Sequence, residues 1–131
     1  MKRTLCIALV FFMLLAFCGC SKTSVNKNAT ATLQFIYGDK NINVTLTDEE
    51  AANVIRILDG NTYHSVFSGV PSCGFNKNVS IKVGNRTFAI ACDTCETIQD
   101  LGNLRFFSIS EEDNAYIRGL FEKYGGFFPC I

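Results

Sequence analysis

Two short runs that alternate apolar and polar residues meet at Gly84-Asn85, and that junction constrains the fold of this chain more than any other feature. A two-residue Gly/Asn connection between alternating runs signals a tight hairpin. Residues 78–83 and 86–92 are therefore expected to pair as antiparallel strands. Val83 would face Arg86, Ile81 would face Phe88 and Val79 would face Ile90. Apart from Arg86 at the rim, these side chains are apolar and share one face. A sheet that is apolar on one face has to be covered on that face.

The rest of the chain supplies more sheet and the cover. Residues 32–37 set Leu33, Phe35 and Tyr37 against Thr32 and Gln34. After Gly38-Asp39-Lys40, residues 41–46 alternate Ile42, Val44 and Leu46 against Asn43 and Thr45, which predicts a second hairpin with one buried face. Thr47-Asp48-Glu49-Glu50 then reads as a capping box, with Thr47 as N-cap and an acidic first turn that suits the helix dipole. Ala51, Val54, Ile55, Ile57 and Leu58 give that helix an apolar stripe, and Asp59-Gly60 ends it.

Residues 62–67 are expected as a third strand and residues 68–77 as a loop held by Cys73. Residues 93–103 read as either a helical turn or an irregular connection, and residues 104–109 as a sixth strand. Ser110-Glu111-Glu112-Asp113 opens a last helix by the same capping logic as Thr47, with Tyr116, Ile117, Leu120, Phe121 and Tyr124 as its buried stripe. Gly119 in mid-helix costs up to ~1 kcal/mol against Ala, which points to close packing there. The resulting fold class is α+β: about six mostly antiparallel strands with two helices packed on one face, braced by disulfides.

Ahead of this domain stands a different kind of segment. Lys2 and Arg3 form a basic head, and residues 5–17 are thirteen residues without a charge or a strong polar group. That run fits the apolar region of a secretory signal and is short of the ~20 residues that span a bilayer. It ends in Phe17-Cys18-Gly19-Cys20-Ser21. A small residue directly before a cysteine resembles the lipobox of bacterial lipoproteins, a resemblance confined to this leader. It implies cleavage after Gly19, a diacylglyceryl group on the Cys20 thiol, and a domain held at the bacterial cell envelope outside the cytoplasm. Cys18 suits the role less well, because bulky Phe17 would sit at the cut. The alternative is an ordinary secretion signal that leaves Cys20 a plain thiol.

On this reading residues 1–19 are the leader, 20–31 the lipidated cysteine and a small, polar, flexible tether, and 32–131 a single domain. The 112 residues left after cleavage suffice for one core. Without Lys2 and Arg3, ten basic residues stand against twelve acidic ones. That balance, with no basic cluster, argues against nucleic acid as a partner and against polybasic adhesion to lipid. The membrane would be reached through the lipid chains.

Of seven cysteines, Cys6 and Cys18 leave with the leader and Cys20 takes the lipid. Cys73, Cys92, Cys95 and Cys130 remain, an even number that suggests two disulfides in an exported domain. Cys92 continues the core face of the hairpin, and Cys73 lies just beyond the partner strand at the level of Cys95. This favours Cys73–Cys95 with Cys92–Cys130; the swapped pairing, Cys73–Cys92 with Cys95–Cys130, follows closely. Cys92-Asp93-Thr94-Cys95 also has the spacing of a thioredoxin-like redox pair, but the hairpin before it is the wrong context. A four-cysteine zinc site would want a second CxxC. No metal or cofactor is expected.

His64, the single histidine, is expected at a strand surface. The acids gather at the two helix starts, where capping accounts for them, and no phosphate loop, HExxH or calcium-loop pattern occurs. No catalytic residue is assigned. Triplets at Asn28, Asn43, Asn78 and Asn85 match the glycan-acceptor pattern, which a bacterial leader makes irrelevant. Phe75, Phe127 and Phe128 lie near cysteines, where they either pack over the disulfides or form an aromatic surface for a protein partner. The function expected is a membrane-anchored envelope lipoprotein with a small non-catalytic domain that binds an envelope or extracellular protein. A thiol–disulfide redox protein using Cys92 and Cys95, and a purely structural envelope protein, are the alternatives.

Overall fold

A computed structural model describes residues 21–129, so Cys20 and Cys130 lie outside the described residues. The elements are β1 (Ala31–Tyr37), β2 (Lys40–Thr45), α1 (Asp48–Leu58), β3 (Phe75–Val83), β4 (Arg86–Ala91), β5 (Thr97–Asp100), β6 (Arg105–Ser108) and α2 (Glu111–Gly125). The strands form one sheet in the order β2-β1-β3-β4-β5-β6, antiparallel at every junction. Because β2 and β3 both run against β1, they run parallel to each other and need a crossover, which α1 supplies. From β3 onward the sheet is a meander. Pairing puts Ala31, Val83, Arg86, Asp100 and Arg105 at one end of the sheet, and Tyr37, Phe75, Ala91, Thr97 and Ser108 at the other.

The Gly84-Asn85 hairpin has its expected register at Val83/Arg86 and Ile81/Phe88. Beyond Ser80/Ala89 the pairing shifts, and Phe75 meets Ala91 across a bulge on the β3 side. Val79 and Ile90 nevertheless both point into the core. That core lies under both helices: Leu33, Phe35, Ile81, Phe88, Ile98 and Phe107 from the sheet meet Val54, Leu58, Ile117 and Phe121. An edge-on ring contact from Phe35 to Phe121 at 5.9 Å joins sheet and helix, and another within the sheet face links Phe88 to Phe107 at 6.1 Å.

Both helices begin as their caps dictate. The Thr47 hydroxyl accepts from the Glu50 amide at 3.3 Å, and the Glu50 carboxylate accepts from the Thr47 amide at 3.0 Å. Ser110 caps α2 by accepting from the Asp113 amide at 3.1 Å. The helices pack antiparallel. Glu50 at the start of α1 meets Lys123 and Tyr124 near the end of α2, and Arg56 pairs with Asp113 in the first turn of α2 at 2.8 Å.

Three local expectations are corrected. Residues 62–67 do not form a strand: Thr62 makes an isolated bridge to Lys22, Tyr63 is buried, and Val66–Ser68 is a 3-10 turn. The neighbouring edge strand, β6, is only four residues long, and the His64 amide bonds the Phe106 carbonyl at 2.7 Å. Residues 104–109 do carry a strand, β6, and the strand that replaces 62–67 in the count of six is β5, inside the region read as a turn or irregular connection. Its signal was hidden because one of its inward residues, Asp100, is an acid. Close packing falls not at Gly119, where an added Cβ would meet nothing within 4 Å, but at Gly125, where it would lie 3.0 Å from the Phe35 ring.

Candidate functional site

The first described residues do not hang free. Thr23 and Val25 are buried while Lys22 and Ser24 face out, the alternation of an extended segment. Thr23 is bonded from both sides: its amide donates to the Asn61 carbonyl at 2.8 Å, and its carbonyl accepts from Gly60 at 3.0 Å. Its hydroxyl accepts from the Asn61 amide at 2.8 Å. Val25 donates its amide to the Asp59 carboxylate at 3.0 Å, and the Ser21 carbonyl accepts from the Tyr63 amide at 3.2 Å. The tether expected over residues 20–31 is thus docked at Ser21–Val25. Its polar composition concealed two inward residues whose partners come from the distant 59–63 stretch.

Side chains from the sheet reinforce the dock. Arg86 donates to the Ser24 carbonyl, to the Tyr63 hydroxyl at 2.7 Å and to Asp100. Asp100 is 1 % exposed, yet its carboxylate is well served, accepting from Arg86, from Tyr63 at 2.5 Å and from the Gly102 amide at 3.0 Å. Burial alone would lower the Arg86 pKa, but its bonds to Asp100 and Tyr63 outweigh that and hold the guanidinium charged. Arg105 donates to the Ser21 hydroxyl and to the His64 carbonyl at 3.3 Å, with its guanidinium 4.6 Å over the Tyr63 ring. Tyr63 and Arg105, from two distant stretches, therefore hold Ser21, the residue that follows Cys20, while Arg86 holds Ser24.

Beside this dock lies an apolar surface. Val66, Phe67, Val70 and Leu104 are 67–95 % exposed, and three of them (Val66, Val70 and Leu104) line one shallow hollow with His64 and Arg105. The loop is held in shape locally. The Ser65 hydroxyl accepts from the Phe67 amide at 3.2 Å, and Gly69 takes a positive φ of 74°. Leu104 itself stands at φ 56°, a left-handed conformation that bulky residues seldom adopt. No element of the sequence pattern singled out these four residues; the available signal was a run of apolar residues between Ser65 and Pro71 without a partner strand.

The three phenylalanines proposed as a partner surface do not come together. Phe75 is half-buried against Phe106, ring to ring at 5.4 Å, on the sheet face away from the helices. Phe128 is half-buried edge-on to Phe121 at 5.6 Å, with the Arg118 guanidinium 3.9 Å above its ring. Only Phe127 is exposed. It stands 5.7 Å from Tyr37, and Tyr37 and Ile36 are exposed as well. This second apolar cluster sits at the opposite end of the sheet from Arg105 and toward the opposite edge.

Cys73 and Cys95 are joined in a disulfide with their Cα atoms 5.9 Å apart. Cys92 is disulfide-bonded too, and Cys130, its expected partner, lies outside the described residues. The Asp93 carboxylate braces the bridge, accepting from the Cys95 amide at 2.9 Å and the Gly74 amide at 3.0 Å. Those two bonds, the Cys95 one foremost, lower its pKa. Cys73, Asp93 and Cys95 do converge, but sulfurs bonded to each other are not thiolate ligands, so the trio serves structure rather than a metal. His64 is half-buried and its Nε2 lies 2.9 Å from the Ser108 hydroxyl. Among the described residues no helix is long and apolar enough to cross a membrane.

No protein-family model, curated protein or solved structure matches this chain.

Proposed function

We propose that this chain is a lipid-anchored protein of the bacterial cell envelope whose domain is a non-catalytic module for binding another protein. The observation that carries the reading is the leader, with its apolar run ending in Gly19-Cys20 directly before Ser21. The Cys73–Cys95 bridge fits an oxidising compartment and supports export. The exposed Tyr37, Ile36 and Phe127 form the aromatic cluster best placed for a protein partner, because it lies at the end of the sheet away from Ser21. The thiol–disulfide reading loses support from the bonding pattern, since a redox CxxC joins its own two cysteines whereas Cys95 bonds Cys73.

One experiment addresses both halves. A photo-crosslinking residue replaces Tyr37 in the full chain, with and without Cys20→Ala, and the proteins are fractionated and weighed by mass spectrometry. The expected result is a membrane-bound, diacylglyceryl-modified protein that crosslinks to one discrete partner, and an unprocessed precursor when Cys20 is lost. Unchanged processing and fractionation of the Cys20→Ala protein would refute the anchor. A lipidated protein without any discrete crosslink would favour the purely structural role.

A further inference from the structure

We infer that the surface formed by Val66, Phe67, Val70 and Leu104 is the membrane-facing surface of the domain and inserts into the lipid headgroup region beside the anchor. The inference rests on the lipid-anchored reading. Its first support is where the chain outside the described residues ends. Cys20 stands one residue, about 3.5 Å, before Ser21. Ser21 is held by the Tyr63 amide and the Arg105 side chain. Tyr63 and His64 lead straight into Ser65-Val66, and Arg105 follows Leu104. With residues 21–25 docked, no slack of ten residues separates the lipid from the domain. A diacylglyceryl group on Cys20 therefore brings this surface close to the bilayer.

The composition of the surface fits that occupant. Four large apolar side chains stand in water here, and Phe67 is 95 % exposed. A soluble domain seldom exposes such a group without an interaction to match. No acidic residue occurs between Asn61 and Gly74 or between Leu101 and Phe106. The one buried acid beneath, Asp100, is paired with Arg86. Arg105 lines the hollow with Val66, Val70 and Leu104, and exposed Lys22, bridged to Thr62, adds a positive charge that suits phosphate headgroups. The two acyl chains of the anchor hold the domain at the bilayer without setting which face it presents, and the apolar loop beside them sets that face. The same geometry turns the Tyr37–Phe127 cluster away from the membrane, toward the space where a partner would be met.

The chain contains no tryptophan, so one introduced tryptophan reports on its own site. The full lipidated protein carrying Phe67→Trp, and separately Tyr37→Trp, is reconstituted in vesicles of phosphatidylethanolamine and phosphatidylglycerol, with and without brominated acyl chains. The expected result is a blue-shifted Phe67→Trp emission that bromine quenches and aqueous iodide does not, with Tyr37→Trp showing the reverse. A Phe67→Trp emission that stays open to iodide while the protein sediments with the vesicles would overturn the inference and leave the anchor intact. Shielding that appears without vesicles and grows with protein concentration would also overturn it, by assigning the surface to a second copy of the chain. Absence of the diacylglyceryl mass on Cys20 would overturn the anchor and the inference together.

Discussion

Glu50 shows how one side chain can serve two levels of structure. Its carboxylate closes the capping box of α1 and also reaches α2, accepting from Lys123 Nζ at 2.7 Å and from the Tyr124 hydroxyl at 2.8 Å. Burial by itself would raise its pKa. The bonds from Lys123, the Thr47 backbone, Tyr124 and the Thr47 hydroxyl outweigh that and hold it at about 2, against an ordinary 4.5. A depressed carboxyl contributes its full stability above its unfolded value and loses it as pH falls through the folded one. Thermal unfolding is therefore expected to show stability falling from about pH 4.5 toward about pH 2. Glu50→Gln is expected to cost ~1–3 kcal/mol at neutral pH and to flatten that slope. An unchanged slope in the variant would mean that Glu50 is not the group that titrates. The cap was legible in Thr47-x-x-Glu50; the reach to Lys123 and Tyr124, seventy-odd residues on, was not.

At the level of elements, the patterns that could be read were those in which one period ran long enough to be unambiguous. The Gly84-Asn85 hairpin and both capped helices are of this kind. The misread elements are short. β5 is four residues with a buried acid, and Ser21–Val25 hides two inward side chains in a polar stretch. The docking of that stretch is checkable by hydrogen exchange. The Thr23, Val25 and Tyr63 amides are each bonded and are expected to exchange far more slowly than in an unstructured peptide. Exchange at the unstructured rate would restore the free tether and remove the geometric basis for a fixed orientation.

Across the whole molecule, the sheet holds two exposed apolar clusters at opposite ends, and the disulfide lies at the end away from the docked segment. Cys73 closes the chain from residue 73 to 95, a sequence separation of 22, around the β3–β4 hairpin. Replacing both Cys73 and Cys95 by Ser is expected to cost ~2–4 kcal/mol in denaturant unfolding, with the pairing of the other elements retained. Loss of less than ~1 kcal/mol would show that the hairpin needs no brace.

By itself the sequence determined the fold class, the caps and the Gly84-Asn85 hairpin, because each depends on residues within a few positions of one another. Only the tertiary structure decided what meets what. It brought Ser21 to Tyr63 and Arg105, buried Asp100 against Arg86, separated Phe127 from Phe75, and left Val66, Phe67, Val70 and Leu104 uncovered. Those outcomes follow from contacts between residues tens of positions apart. Local periodicity cannot encode them, because whether an apolar residue is core or surface depends on which distant element arrives to cover it.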